Sequence, residues 1–331
     1  MVFEGKVTKF ALNSVTLYPF LRHKIMTTNF KGYALGIIAA ATYGLNPLFA
    51  LPVYAHGMNP DSVLFFRYMM AIPIVGLMAL LRGHSLAVDR RDILPLALMG
   101  VITGVSSLTL FQSYNYMNAG IASTILFVYP VMVAIIMAVL YRERLSRLTV
   151  GCLLASVVGI GLLSKSPEGG GGLSLTGTLL ALTSGLTYAI YIVAANRPRF
   201  RRLPTLKMLF YVLIFGTLVF AVRLAGPADF TPPTCGMDWV CVVCLAVLPT
   251  AISFGCTTAA IQYIGSTPTA ILGALEPVTA LLVAIAVFGE KITGIESAGI
   301  VLILAAVTLV AAGNQAATVL LRIRKMFPRR R

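Results

Sequence analysis

The chain has 331 residues, 58% of them hydrophobic and only 11% charged, with a formal net charge of +15 and a mean hydropathy of +0.89. That leaves too little polar surface to cover a soluble core, so a soluble fold is excluded and an integral membrane protein is expected. The basic excess is spread over connecting segments and the tail, which argues against nucleic acid as a partner.

In chain order, residues 1–30 read as a cytoplasmic tail, the first 25 of them mixed and charged, without a continuous apolar run and a small-residue cleavage site. Within it, residues 1–25 are either a flexible tail or an overlong start. A spanning helix needs roughly 20 apolar residues. Such stretches are expected at about 32–53, 62–81, 93–113, 119–141, 147–164, 175–195, 207–225, 239–261, 268–289 and 295–314. The fold class expected is therefore all-α, with ten transmembrane helices. Ser166-Pro-Glu-Gly-Gly-Gly-Gly-Leu-Ser174 lies halfway along. No strand precedes its glycines and no Gly-Lys-Ser/Thr follows, so it reads as a linker, not a phosphate loop. Residues 315–331 form a basic tail expected to touch anionic lipid.

With the first residue in the cytoplasm, 22 of the 26 Lys and Arg residues fall in segments on that side, which is the positive-inside pattern with both termini cytoplasmic. Lys165, Arg223 and Lys291 fall on the other side, and Arg67 lies inside a span. The expected location is the inner (plasma) membrane.

The sequence also repeats itself. Pro130 and Pro277, Glu143 and Glu290, and Arg144 and Lys291 each lie 147 positions apart, as do Tyr116 and Tyr263, and Thr103 and Thr250. The ladder Gly32, Gly36, Ala40, Gly44 returns 145 positions later as Gly177, Ala181, Gly185, Ala189. Two copies of five spans, an odd number, must enter the membrane in opposite senses, so residues 31–165 and 175–314 are expected to be inverted repeats joined at 166–174. The ladders, and Gly151, Ala155 and Gly159 in the fifth span, are expected to be packing faces.

Polar groups within spans are costly unless they face protein or water. Glu276, near the middle of the ninth span, precedes Pro277, which cannot donate to the carbonyl of Gly273. A carboxylate beside a freed carbonyl suits a proton, a cation or an amine; the other reading is protonated, hydrogen-bonded glue between helices. Arg67 either meets an anionic substrate group, pairs with Glu276, or snorkels to the interface. Asn46-Pro47 combines a side-chain amide with a second freed carbonyl, and Tyr43, Tyr114, Tyr129, Tyr188 and Tyr191 offer rings and hydroxyls to a cavity. Tyrosine also favours interfaces, a reading open for Tyr114. Candidate substrate or coupling residues are therefore Glu276, Arg67, Asn46, Tyr43, Tyr188, Tyr191, Tyr129 and Ser253, with helix kinks at Pro47, Pro130 and Pro277. Glu143 and Glu290 close their spans and are expected to remain in interfacial water, and Trp239 to anchor at the interface.

No enzyme signature is present: there is no nucleotide loop, no histidine within a span, and no paired carboxylates. Cys241 and Cys244 lack a second pair and read as core, so no metal or cofactor is expected.

The stretches Tyr129-Pro130-Val131 through Glu143-Arg144-Leu145, and Leu275-Glu276-Pro277-Val278 through Gly289-Glu290-Lys291-Ile292, resemble the EamA family of the drug/metabolite transporter superfamily over Lys31 to Gly313. Arg142 stands where the first repeat usually has glycine. The motifs are specific for the family and weak for substrate. The resemblance implies alternating access by rocking of two repeats around a central cavity, coupled to a proton or to solute exchange. The function expected is a secondary active transporter exporting small polar metabolites or amino acids, as a monomer or homodimer, with a small molecule as substrate and a proton as the candidate coupling ion. The alternatives are an uncoupled facilitator or importer of a vitamin, sugar or nucleotide-like solute, and a membrane-embedded enzyme.

Overall fold

The computed structural model describes residues 30–141, 147–163, 174–195, 197, 199–200, 203–264, 269, 272–290 and 292–309. Both tails, most of the glycine-rich linker, Glu143-Arg144 and Lys291 lie outside these residues. Among the described residues every regular element is a helix. Helix α1 (30–44) is followed across Leu45 by α2 (Asn46–Ala55), and then come α3 (Pro60–Leu81) and α4 (Arg90–Ser113). Next are α5 (Ala119–Leu126), α6 (Tyr129–Tyr141), α7 (Arg147–Leu163), α8 (Leu175–Ala195) and α9 (Thr205–Leu224). Helix α10 (Gly236–Leu245) passes through a π-helical stretch, Ala246–Ile252, into α11 (Ser253–Ile264). The described chain ends with α12 (Leu275–Ala286) and α13 (Gly294–Leu309).

Among the described residues, seven helices or helix pairs are long and apolar enough to cross a bilayer, and α7, α12 and α13 are shorter apolar helices. Exposed Leu, Ile and Val along their outer faces are what a lipid-facing surface requires. This is a multi-pass membrane protein.

The first and last thirds of the spans can be assigned to ends by contact. His56, just after α2, touches Asp238 in the first turn of α10, and Tyr54 donates to the carbonyl of Phe111 near the end of α4. A side-chain carbon added at Gly32 would meet Tyr263 and Ile264, so the start of α1 lies beside the end of α11. The bundle thus has a His56 end and a Phe30 end.

Its centre is a layer in which α3 and α4 pack mainly on α8 and α9, and much less on each other. Small residues permit this. At Gly100 an added carbon would lie 2.5 Å from the Phe215 side chain and 2.9 Å from the Val212 carbonyl, and at Gly216 it would lie 2.7 Å from the Tyr68 ring. Ser106 and Ser184 lock α4 to α8 reciprocally, each hydroxyl donating to the other's carbonyl, at 3.0 and 2.7 Å. Of the predicted packing ladders, Gly36 meets Leu272, Gly44 the carbonyl of Glu276, and Gly159 the carbonyl of Gly299. Gly151 departs from the expectation: nothing lies within 4 Å of it, because it sits on the lipid-facing side of α7.

Candidate functional site

Proline breaks place the polar residues at mid-depth. Pro47 cannot donate to the carbonyl of Tyr43, and Asn46 fills the gap with its own amide, Nδ2 to O at 2.9 Å. Asn46 Oδ1 is left buried without a hydrogen-bond partner. Pro249 likewise strips a donor from the carbonyl of Leu245. There the backbone widens into the π-helical stretch, and Thr250 Oγ1 donates to that carbonyl at 3.0 Å. The same hydroxyl accepts from Arg67 Nε at 3.0 Å. At Pro277 the carbonyl of Gly273 is not free, as the sequence suggested, because the backbone N–H of Glu276 donates to it at 3.0 Å. The three predicted kink prolines stand in the first turns of α2, α6 and α12, so they begin new helices after breaks and do not bend continuous ones.

Arg67 is 4% exposed and does not snorkel. Its guanidinium lies 5.3 Å from the centre of the Phe111 ring, and no carboxylate of the described residues comes within 4 Å of it. It lines a small chamber of about 40 Å³ with Tyr43, Tyr68, Ser106, Ser107 and Thr250. Tyr68 Oη and Ser107 Oγ are 2.7 Å apart on its wall. Tyr188 and Tyr191 also border this chamber, stacked with ring centres 6.0 Å apart.

Tyr43 and Tyr188 separate that chamber from a larger cavity of about 270 Å³. The larger cavity is lined by Gly36, Ala40, Tyr129, Ser253, Thr257 and Glu276, among others. Tyr129 meets Tyr188 edge to face at 4.8 Å. Ser253 spends its hydroxyl on the carbonyl of Ala39, at 2.9 Å, which ties α11 to α1. The Glu276 carboxylate makes no hydrogen bond or ion pair with any described residue, and it also borders a third, narrow pocket with Asn46, Tyr114 and Tyr43. Tyr114 is therefore interior, 7% exposed, and not an interfacial residue. All eight sequence candidates line one of these three adjoining pockets. In the α1–α2 span, in α8 and in the α10–α11 span, the residues that line the larger cavity lie in the half nearer the Phe30 end.

Three participants escaped the sequence reading. Thr250 was visible only as the repeat mate of Thr103, and its role depends on the π-helical stretch after Pro249. Phe111 and Ser107 carry no local pattern. Glu290 also differs from its expectation: its carboxylate is half-buried and accepts from the backbone N–H of Ala119, with Oε2 buried and otherwise unpartnered. Burial pushes this carboxyl above the usual range, and the Ala119 N–H partly opposes that rise. Trp239 is 43% exposed and packs on Phe66 with ring centres 5.5 Å apart.

Comparison with known proteins adds a family. The model described as the EamA-like transporter family matches residues 30–165 and again 175–312. An uncharacterized transporter of Archaeoglobus fulgidus is 29% identical over 84% of this chain and 95% of its own length. A Salmonella typhimurium protein named "probable amino-acid metabolite efflux pump" is 24% identical over 82% of this chain and 91% of its own. An uncharacterized inner membrane transporter from the same organism is 24% identical over 85% and 95%. One crystal structure superposes with a TM-score of 0.63 at 19% identity, covering 84% of this chain and 95% of that one, a likeness of fold.

Proposed function

Because the chain belongs to the EamA-like transporter family and is a transporter, not an enzyme, we propose that it exports a small metabolite bearing both an amine and a carboxylate, of the amino-acid type. The observation that carries this reading is the pair of opposite, unpartnered charges in adjoining pockets. Arg67 offers two guanidinium nitrogens beyond the one held by Thr250, in a form suited to a carboxylate. Glu276, which shares its cavity with Tyr43, Tyr129 and Tyr188, suits an ammonium group. A transporter also needs its substrate to leave, and isolated charges in separate pockets bind more weakly than a closed cage. The relative named as an amino-acid metabolite efflux pump points the same way.

The arrangement proposed is ten spans in two inverted five-span repeats, with both termini cytoplasmic and the Phe30 end facing inward. Alternating access then uses the broken helices. The central layer of α3, α4, α8 and α9 interlocks the two halves through glycine contacts, so motion falls to α1–α2, α5–α6, α10–α11 and α12, whose breaks sit at the depth of the pockets. Glu276 exchanges the substrate amine for a proton, which couples export to the proton gradient.

The test compares extracellular metabolites from cells expressing the wild type, Glu276→Gln or no transporter, at matched membrane abundance. A compound with both groups should accumulate outside only with the wild type. Enrichment of a solute lacking either charge, or equal export by Glu276→Gln, overturns the reading.

A further inference from the structure

Outside the cavity, one cluster of metal-ligating side chains stands at the seam between the halves. His56, from the first half, places Nδ1 2.6 Å from Oδ1 of Asp238 in the second, and Cys235 Sγ is 3.8 Å from the same nitrogen. The three ligand atoms lie within 4.8 Å of one another. The sequence drew attention to Cys241 and Cys244 instead; the thiol that finds a histidine is Cys235, the residue before α10.

We propose that His56, Cys235 and Asp238 form a zinc site that bridges the two halves at the His56 end and, when filled, holds that end closed. Asp238 is 1% exposed, and its Oδ2 accepts from the Thr234 N–H and hydroxyl and the Cys235 N–H, at 2.9, 3.0 and 3.2 Å. These donors fix the carboxylate so that only Oδ1 faces His56, as outer-shell contacts fix a metal ligand. One nitrogen, one sulfur and one oxygen favour zinc over calcium or magnesium, which prefer all-oxygen shells. Metal–ligand bonds of about 2.0–2.3 Å at tetrahedral angles set ligand–ligand edges of roughly 3.2–3.7 Å. The Cys235–His56 separation is already near that value. The His56–Asp238 separation must open by about 1 Å, and the 46% exposed imidazole has the freedom to do so. On binding, the ion displaces the thiol proton to solvent, the imidazole carries its one proton on Nε2 and turns Nδ1 to the metal, and water takes the fourth position.

The location gives the site a consequence. Around it, Asp61 meets Arg223 at 2.5 Å, Asn59 N–H donates to Thr231 Oγ1 at 2.9 Å, and Thr231 N–H donates to Ser62 Oγ at 3.0 Å. Every one of these contacts joins the first half to the second, and all lie at the end away from the larger cavity. An ion ligated from both sides would fasten that seam.

The test needs no substrate, so it is independent of the proposed export activity. Purified full-length protein in detergent is titrated with Co²⁺ as a spectroscopic stand-in for zinc. The wild type should give a saturable thiolate-to-cobalt charge-transfer band at one ion per chain, displaced by Zn²⁺. Cys235→Ser should lose the band, His56→Ala should weaken binding at least tenfold, and Cys241→Ser should leave both unchanged. Zn²⁺ should raise the unfolding temperature of the wild type and not of Cys235→Ser. No saturable band, a band that survives Cys235→Ser, or zinc stabilisation equal in both proteins overturns the proposal.

Discussion

Charge is handled differently in the two ends of the bundle. At the His56 end the ionisable groups between halves are partnered: Asp61 with Arg223, and Asp238 with His56 and a ring of local donors. Toward the Phe30 end and mid-depth, Arg67 and Glu276 line pockets with no counter-ion among the described residues, and the inter-half ion pair Arg199–Asp92 sits off to the side at the α3–α4 corner, with Arg199 half exposed. A charge removed from water is retained only if something meets it. Where the protein supplies the partner the seam is closed, and where it does not, a ligand or water must. The contrast separates groups that hold the structure from groups that we propose serve a passing solute.

Breaking the unpartnered side should give the largest effect. Arg67→Leu removes the candidate carboxylate partner, and truncating one member of a buried charge pair typically costs about 2–5 kcal/mol, so export should fall roughly thirtyfold or more. Arg67→Lys keeps the charge but loses the fork and the Nε contact to Thr250, and should fall between. Export assays at matched membrane abundance check both; wild-type rates in Arg67→Leu would remove it from the site. Next comes the layer that keeps the two ends in register. Gly100→Leu forces a side chain into Phe215 and the Val212 backbone and should cost about 1–3 kcal/mol or prevent assembly, whereas Gly151→Leu faces open space and should change nothing. Thermal unfolding in detergent compares them, and equal losses would contradict the packing described for α4 and α9.

Much of this was legible in the sequence because lipid is a demanding solvent. Apolar runs long enough to span announce the helices, and polar residues inside them announce the interior, so Glu276, Arg67, Asn46 and the tyrosines could be named from chemistry alone. What stayed hidden was relational. Thr250 reaches Arg67 because Pro249 opens a π-helical stretch 183 residues away in sequence. Gly100 and Gly104 are spaced as a close-packing pair, but only the structure reveals Gly216 as their partner. The freed carbonyls expected at Pro47 and Pro277 exist on paper, yet neighbouring donors take them, since an unsatisfied carbonyl in hydrocarbon is expensive. His56, Cys235 and Asp238 come from separate segments whose meeting no spacing rule foretells.

The partnered side can be tested by a double-mutant cycle at the seam. Asp61 is 5% exposed by its side chain and Arg223 36%, so the pair is neither fully buried nor free in solvent. Asp61→Ala and Arg223→Ala should each lower the unfolding temperature, and the double variant should lose less than their sum, with a coupling of about 1 kcal/mol. Additive losses would mean that the pair does not fasten the two halves.

The smallest effect sharpens the comparison at its boundary, because Glu290 is half partnered. Its carboxylate caps the first residue of α5 through Ala119, while Oε2 is buried without a donor. Burial sets its folded-state pKa above the unfolded value, so the folded protein holds this proton more tightly. That contribution to stability is complete below the unfolded pKa and is lost as pH rises through the folded one. Glu290→Gln keeps an acceptor for Ala119 without carrying a charge. Its unfolding temperature should match the wild type near pH 4 and exceed it by no more than about 2 °C near pH 8. Glu290→Ala, which loses the cap, should be less stable at both. Parallel pH profiles for the wild type and Glu290→Gln would show that the unpartnered oxygen costs nothing, and the rule separating the two ends would then not extend to groups that are only half enclosed.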